Sequence, residues 1–484
     1  MTSTDFLTLM KKNTGWLYAG EILPRLAGLF IVPIWSARVA PEEYARWVLV
    51  LTTAELLLGF STLGFTTFFT KVLYRYRDRR AQDYFALGAL VVLLVTVISA
   101  AGMAAGSPAL SRLLIGAEAR SDIFAWLAIY LVCAQFTNLA LLYLAVQVRF
   151  GAHFLITTLR WIGNAGFLLW GLLVWKQGFY SWVWAWIGTE LILMPVSWYH
   201  LRHALWPHFR KRMLRFAFRF SFPTLMMDVL AMAQHRVGRY VVSFSGLGGQ
   251  VGLYGVAQNF ARNYGAVVRP AKLVAVRALG HALEDDANSP HFVEFFHGFS
   301  CLALCVAFLV ALFLGDLMKL FVSPAYHGAS VALAPLVFGL YLEEVSSLYH
   351  SLLFRYFKVW SNFFSTLITF PTVVIVTLLL VRPFGFLGAA LAQLAGAVAM
   401  VLFAHRYATT VTWRPFRFGE KLLFTFAALG LTTVAQWYDF SVGMKGVMVV
   451  AAFVPYWLFH WRRRDTLFPL TVQAVKPMAS LSTG

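Results

Sequence analysis

Long uncharged apolar runs dominate this chain and set the terms on which it can fold. Leu87 to Met103, Ser300 to Gly315 and Pro371 to Val381 contain no Asp, Glu, Lys or Arg. Each lies in a stretch near the ~20 residues that carry a helix across a hydrocarbon core. Only 13% of the residues are charged and 60% are apolar, against roughly 25% charged in soluble domains. The expected fold is an all-α polytopic membrane protein with roughly fourteen transmembrane helices.

Spans are expected near 13–34, 46–70, 84–105, 122–147, 154–175, 181–200, 217–243, 253–276, 294–315, 329–354, 359–381, 385–405, 420–437 and 443–461. The first apolar stretch, Thr14 to Trp35, contains Glu21, Pro24 and Arg25 and is not followed by a small-residue cleavage site; it reads as a span, not as a removable signal. Basic residues gather on the side of the termini, in Lys71–Asp83, in His200–Arg219 and in Arg462, Arg463 and Arg464. The positive-inside rule then puts both termini in the cytoplasm of a multi-pass inner-membrane protein. A formal net charge of +19 is thus a mark of topology, and no nucleic-acid partner is expected. Cys133, Cys301 and Cys305 fall inside apolar runs and read as small buried hydrophobes.

A repeat organises the spans. Adding 207 to the starts of spans three to six reproduces the starts of spans nine to twelve to within a few residues, and Leu110-Ser111-Arg112-Leu113-Leu114-Ile115 precedes Leu317-Met318-Lys319-Leu320-Phe321-Val322 by the same interval. An even number of spans per repeat makes the halves parallel. The expected division is a six-helix half at 1–207, a second at 208–410, and two further helices with a tail at 411–484. A substrate cavity is expected between the halves.

Four stretches, in this order and spacing, carry a family resemblance. Ala37-Arg38-Val39-Ala40-Pro41-Glu42-Glu43-Tyr44-Ala45 forms the first turn. Leu214-Arg215-Phe216-Ala217-Phe218-Arg219-Phe220-Ser221-Phe222-Pro223 enters span seven. The third runs from Arg239 through Gly246-Leu247-Gly248 to Val251-Gly252-Leu253-Tyr254, and the fourth is Leu320-Phe321-Val322-Ser323-Pro324-Ala325-Tyr326. Over about residues 10–410 the chain resembles Wzx-type lipid-linked oligosaccharide flippases of the multidrug/oligosaccharidyl-lipid/polysaccharide exporter superfamily, although Gly238 stands where that pattern often has Asp. The resemblance implies transport of undecaprenyl-pyrophosphate-linked repeat units across the bacterial inner membrane for surface polysaccharide synthesis. It also implies alternating access and coupling to an ion gradient.

Charges that break the hydrophobic rule then gain meaning. Arg236, Arg239, Arg262, Arg269, Lys272 and Arg277 cluster on spans seven and eight, and intramembrane charges of this kind face a wet or polar interior. With a diphosphate cargo implied, Arg236, Arg239, Arg262, Arg269 and Arg25 are the expected headgroup or acidic-sugar ligands. Gln258 and Asn259 would bond sugars. Lys272 and Arg277, near the cytoplasmic end, also read as snorkelling residues. Span two presents Thr52, Glu55, Gly59, Thr62 and Thr66 as a polar seam, and span ten offers Glu343, Glu344, Ser347 and His350. Glu55, Asp228 and Glu21 are the candidates for coupling to H+ or Na+; Asp228 also reads as a structural partner for an arginine, Glu21 as an i, i+4 partner of Arg25, and the threonine seam as interhelical hydrogen bonding. No other cofactor is expected. Tyr180, Trp182, Trp184 and Trp186 read as an interfacial aromatic belt.

An enzyme is not expected. The loops opposite the termini are short, and the chain lacks a metal-ligand cluster, nucleophile elbow or phosphate-binding glycine loop. The rivals are a lipid II flippase or another exporter of the same superfamily, then a membrane-embedded sugar polymerase or ligase. Lipid-linked oligosaccharide and membrane lipids are the expected partners of a monomer, with polysaccharide polymerase machinery nearby.

Overall fold

The structure is a computed structural model that describes residues 28–65, 69, 79–116, 122–147, 149–202, 204–205, 211–270, 272, 290–355, 359–410, 418–438 and 440–461. Glu21, Arg25, Thr66, Arg277, the basic run from Lys71 to Asp78 and the tail beyond Trp461 lie outside them. Among the described residues every regular element is helical: α1 (Pro41–Ser61), α2 (Arg79–Ala105), α3 (Ser107–Leu114), α4 (Ile123–Val146), α5 (Phe150–Trp170), α6 (Tyr180–Leu201), α7 (Lys211–Phe244), α8 (Gly248–Ala261), α9 (Pro290–Phe321), α10 (Leu333–Arg355), α11 (Val359–Phe384), α12 (Phe386–Ala408), α13 (Phe418–Trp437) and α14 (Val442–Trp461). Six segments are long and apolar enough to cross a membrane by length and composition, among them 82–105, 296–321 and 386–408. Helices α1 and α7 fall short of that standard because they carry charged residues, and α8 because it is only 14 residues long.

Two expected spans are broken. α1 ends at Ser61, and Leu63 and Gly64 take positive φ values of 50° and 69°. A Cβ at Gly64 would strike the backbone of Ser221 and Leu225, so glycine permits both the left-handed turn and the close approach of α7. Span two is therefore not continuous from 46 to 70. Span eight is interrupted at Arg262, which caps α8 before helix resumes at 263–270. The two copies of the short repeat also differ: 110–114 sits in the separate helix α3, whereas 317–321 continues α9.

Helices α4, α5 and α6 pack on one another, as do α10, α11 and α12, while α1 lies between α7 and α8. At one end the turns preceding α1, α6, α8, α10 and α12 converge. There Trp35 stacks on Tyr44 with ring centroids 4.6 Å apart and meets Tyr326 at 5.4 Å. Trp182 packs against Trp35, Tyr44 and Trp47, and Trp186 against Trp47 and Tyr130. The belt reading thus fails for Trp182, which is buried. A membrane interface needs its aromatic rings on the lipid side, and this ring is instead part of the core.

α13 and α14 dock on α9. Lys445 Nζ reaches both carboxylate oxygens of Asp316 at 2.7 Å, and Gln436 Nε2 donates to the Ala311 carbonyl at 2.8 Å. The Lys421 ammonium stands 4.6 Å from the centre of the Phe296 ring.

Candidate functional site

The polar seam of span two meets the charged face of span seven. α1 and α7 run antiparallel, which brings Thr52 opposite Arg239, Thr53 opposite Tyr240, Glu55 opposite Arg236 and Gly59 opposite Met232. Arg236 forms an ion pair with Glu55. Arg239, 3% exposed, donates from Nε to Gln258 Oε1 and from a terminal nitrogen to Thr52 Oγ1, both at 2.7 Å. A guanidinium suits this position because its fork reaches α1 and α8 at once. Thr53 and Tyr240 hydroxyls add a 2.9 Å contact.

α8 closes the other side of α1. Gln258 Nε2 donates to Gln393 Oε1 at 3.2 Å and to the His235 carbonyl at 3.4 Å. Gln393 on α12 also accepts from the Tyr254 hydroxyl and donates to His235 Nδ1, each at 3.2 Å. One uncharged side chain therefore ties α7, α8 and α12 together beneath Arg239. Asn259 lies apart from this network and donates to the Tyr44 hydroxyl at 2.9 Å, toward the aromatic end.

A second charged group lies beyond the break that ends α8. Arg269 Nε donates to Glu344 Oε1 at 2.8 Å, and Lys272 bonds the other oxygen of Glu344 and, at 2.8 Å, Ser347 Oγ. One carboxylate thus serves two cations. His235 Nδ1 stands 3.6 Å from Glu343 Oε1, linking α7 to α10. Arg262 occupies the break in span eight between these groups. Cations outnumber carboxylates across the whole set.

The expected basic residues that are described thus lie on α7 (Arg236 and Arg239), at the C-cap of α8 (Arg262) or beyond it (Arg269 and Lys272). The structure joins Glu55 to Arg236, whereas Asp228 has no hydrogen-bond or ion-pair partner among the described residues. The structural role read for it as an arginine's partner is not seen there. Sequence reasoning missed Gln393, which has no charge to betray it. It also missed Arg160, which pairs with Glu190 and donates to Asn138 Oδ1 at 2.9 Å, joining α5, α6 and α4. An arginine inside an apolar helix was the available signal. No group of three or more metal-ligating side chains occurs among the described residues.

The end where the turns converge is sealed by contacts between early and late segments. Ser323 N donates to Ser36 Oγ at 3.0 Å, and the Tyr326 hydroxyl donates to the Val39 carbonyl at 2.8 Å. Gly252 lies so close to Pro41 that a Cβ would strike its carbonyl oxygen. We call this the closed end.

Residues 37–329 match a family described as polysaccharide biosynthesis protein. No curated protein matches the chain in sequence. Among solved structures, the chain is similar to the lipid II flippase MurJ in an inward closed conformation, at TM-score 0.63 and 13% identity over 93% of this chain and 99% of that one. An inward-facing multidrug resistance MATE family transporter of the MOP superfamily aligns at TM-score 0.61 and 14% identity, covering 82% of this chain and 98% of that one. The Vibrio cholerae MATE transporter VcmN aligns at TM-score 0.58 and 13% identity, over 86% and 100%. The fold is that of these membrane exporters and flippases.

Proposed function

Because the chain belongs to the polysaccharide biosynthesis protein family, we propose that it flips lipid-linked oligosaccharide, carried on undecaprenyl pyrophosphate, across the bacterial inner membrane with both termini in the cytoplasm. The observation that carries this reading is the excess of cations on α7 and, beyond α8, at Arg262, Arg269 and Lys272, held in partial neutrality by a few carboxylates. Arg236 has Glu55, and Arg269 shares Glu344 with Lys272.

A diphosphate entering between the halves, at 1–207 and 208–410, competes with those carboxylates for the same donors. Arginine matches its oxygens with two parallel N–H bonds. The displaced Glu55 then becomes free to take up a proton or Na+, which couples cargo to an ion gradient; Asp228 and Glu21 are further candidates for that role. Arg262 and Arg269 take the phosphates first in this scheme, with Arg25 completing the site from span one. Gln258 is positioned for sugar contacts only if its bond to Arg239 yields. Asn259, bonded to Tyr44, belongs to the closed end, and its release accompanies opening there. Polymerase machinery would take up the product.

The test is export of surface polysaccharide by cells carrying Arg262→Ala and Arg269→Ala together, at matched protein level. Loss of export with retained folding is expected; undiminished export sinks the cationic-site mechanism. The second reading, a lipid II flippase, shares the headgroup chemistry and is favoured by the fold likeness to MurJ. Proteoliposomes loaded with either lipid separate the two by which headgroup crosses.

A further inference from the structure

We propose that the chain carries a second ligand site at its closed end, a pocket that holds the headgroup of a membrane phospholipid by its phosphate and its primary amine. The pocket has a volume of about 900 Å³ and lies between the turn into α1 and the segment joining α5 to α6. Arg38, Arg46 and Lys176 line it together with Glu42 and Gln177. All five are exposed. Arg46, Lys176 and Glu42 have no hydrogen-bond or ion-pair partner among the described residues. Opposite charges that share a pocket without pairing leave room for something between them.

The backbone beside the pocket is irregular in two consecutive places. Gly171–Trp175 forms a π-helical turn, and Lys176 follows in the left-handed region at φ 52°. π-Helical turns concentrate at functional sites, and a non-glycine residue at positive φ persists only where its surroundings hold it. Here the hold comes from α1, whose Glu43 carboxylate accepts the Phe179 backbone N–H at 3.0 Å. The irregular turn thereby places Lys176 across from Arg38 and Arg46.

The occupant follows from the surroundings. Leu173 of the lining and its chain neighbours Val174 and Trp175 are 46%, 57% and 53% exposed; on a membrane protein such a face lies against lipid, and tryptophan favours the level where acyl chains give way to headgroups. A phosphodiester suits the arginine fork and the lysine ammonium. Glu42 remains to accept an amine, so a phosphoethanolamine headgroup satisfies both signs of charge. A diphosphate lipid would instead set surplus negative charge beside Glu42. Since Glu42 also abuts Gly249 at the start of α8, an occupied pocket braces the closed end.

The test is native mass spectrometry of the full chain titrated with phosphatidylethanolamine, with diacylglycerol of the same chains as the reference. Wild type is expected to retain one phosphatidylethanolamine in preference to diacylglycerol. Arg46→Ala with Lys176→Ala should weaken that binding about tenfold, while Arg382→Ala, a basic residue elsewhere on the surface, should not. Thermal unfolding of each variant confirms folding. Equal retention by the double variant overturns the site, as does equal loss in Arg382→Ala. Displacement by inorganic phosphate alone, or binding of a polyprenyl diphosphate that the Arg46→Ala, Lys176→Ala variant weakens to the same extent, overturns the assignment to a phospholipid.

Discussion

Arg236 and Glu55 illustrate how a single charge can be kept inside an apolar bundle. Removing one partner of a buried pair leaves the other desolvated and costs about 3 kcal/mol, whereas replacing both can be nearly neutral. Glu55→Gln should therefore lower stability by roughly that amount, less whatever solvent reaches its 24%-exposed side chain. Adding Arg236→Gln should restore most of the loss. Thermal unfolding of the single and double variants in one detergent measures the coupling, and additive losses would mean that the pair is not a unit. The charges themselves were legible in the sequence, because a rare ionisable residue in an apolar run announces itself. Their partners were not: Arg269 and Glu344 stand far apart in the chain, and only the packing of the helical stretch 263–270 against α10 joins them. Gln393 gave no signal at all, since an uncharged amide in a helix looks like any other polar residue until three helices are seen to meet on it.

Helices were easier to read than their interruptions. Most expected spans coincide closely with observed helices because hydrophobic length sets both. The breaks at Leu63–Gly64 and Arg262 escaped that reasoning, since hydropathy averages over a window and a one-residue turn hardly changes the mean. Both breaks fall where α1 and α8 border the arginine-bearing face, in keeping with irregular backbone being tolerated at membrane depth only inside protein or beside a cavity. Close approach has its own signature in Gly252. A side chain there wedges α8 away from the turn before α1. Gly252→Val is expected to raise maleimide labelling of a cysteine placed at Ser36 several-fold. Gly248→Val, where a Cβ meets nothing within 4 Å, should leave labelling unchanged. If the two variants label alike, the glycine contact does not control closure.

At the scale of the whole molecule, early and late segments meet through α1 at the closed end. Joining Ser36→Cys to Ser323→Cys by oxidation should hold that end shut and stop transport, with a reductant restoring it; transport that continues with the cross-link complete would exclude opening at this end as part of the cycle. Ser323 N to Ser36, Tyr326 to Val39 and Asn259 to Tyr44 are the hydrogen bonds that such opening must break. Each exchanges with water for a net of about 1 kcal/mol. Moving one elementary charge through 100 mV supplies about 2.3 kcal/mol. On the proposed coupling to an ion gradient, one or two ions moving down the membrane potential would supply energy of the same order as those hydrogen bonds alone.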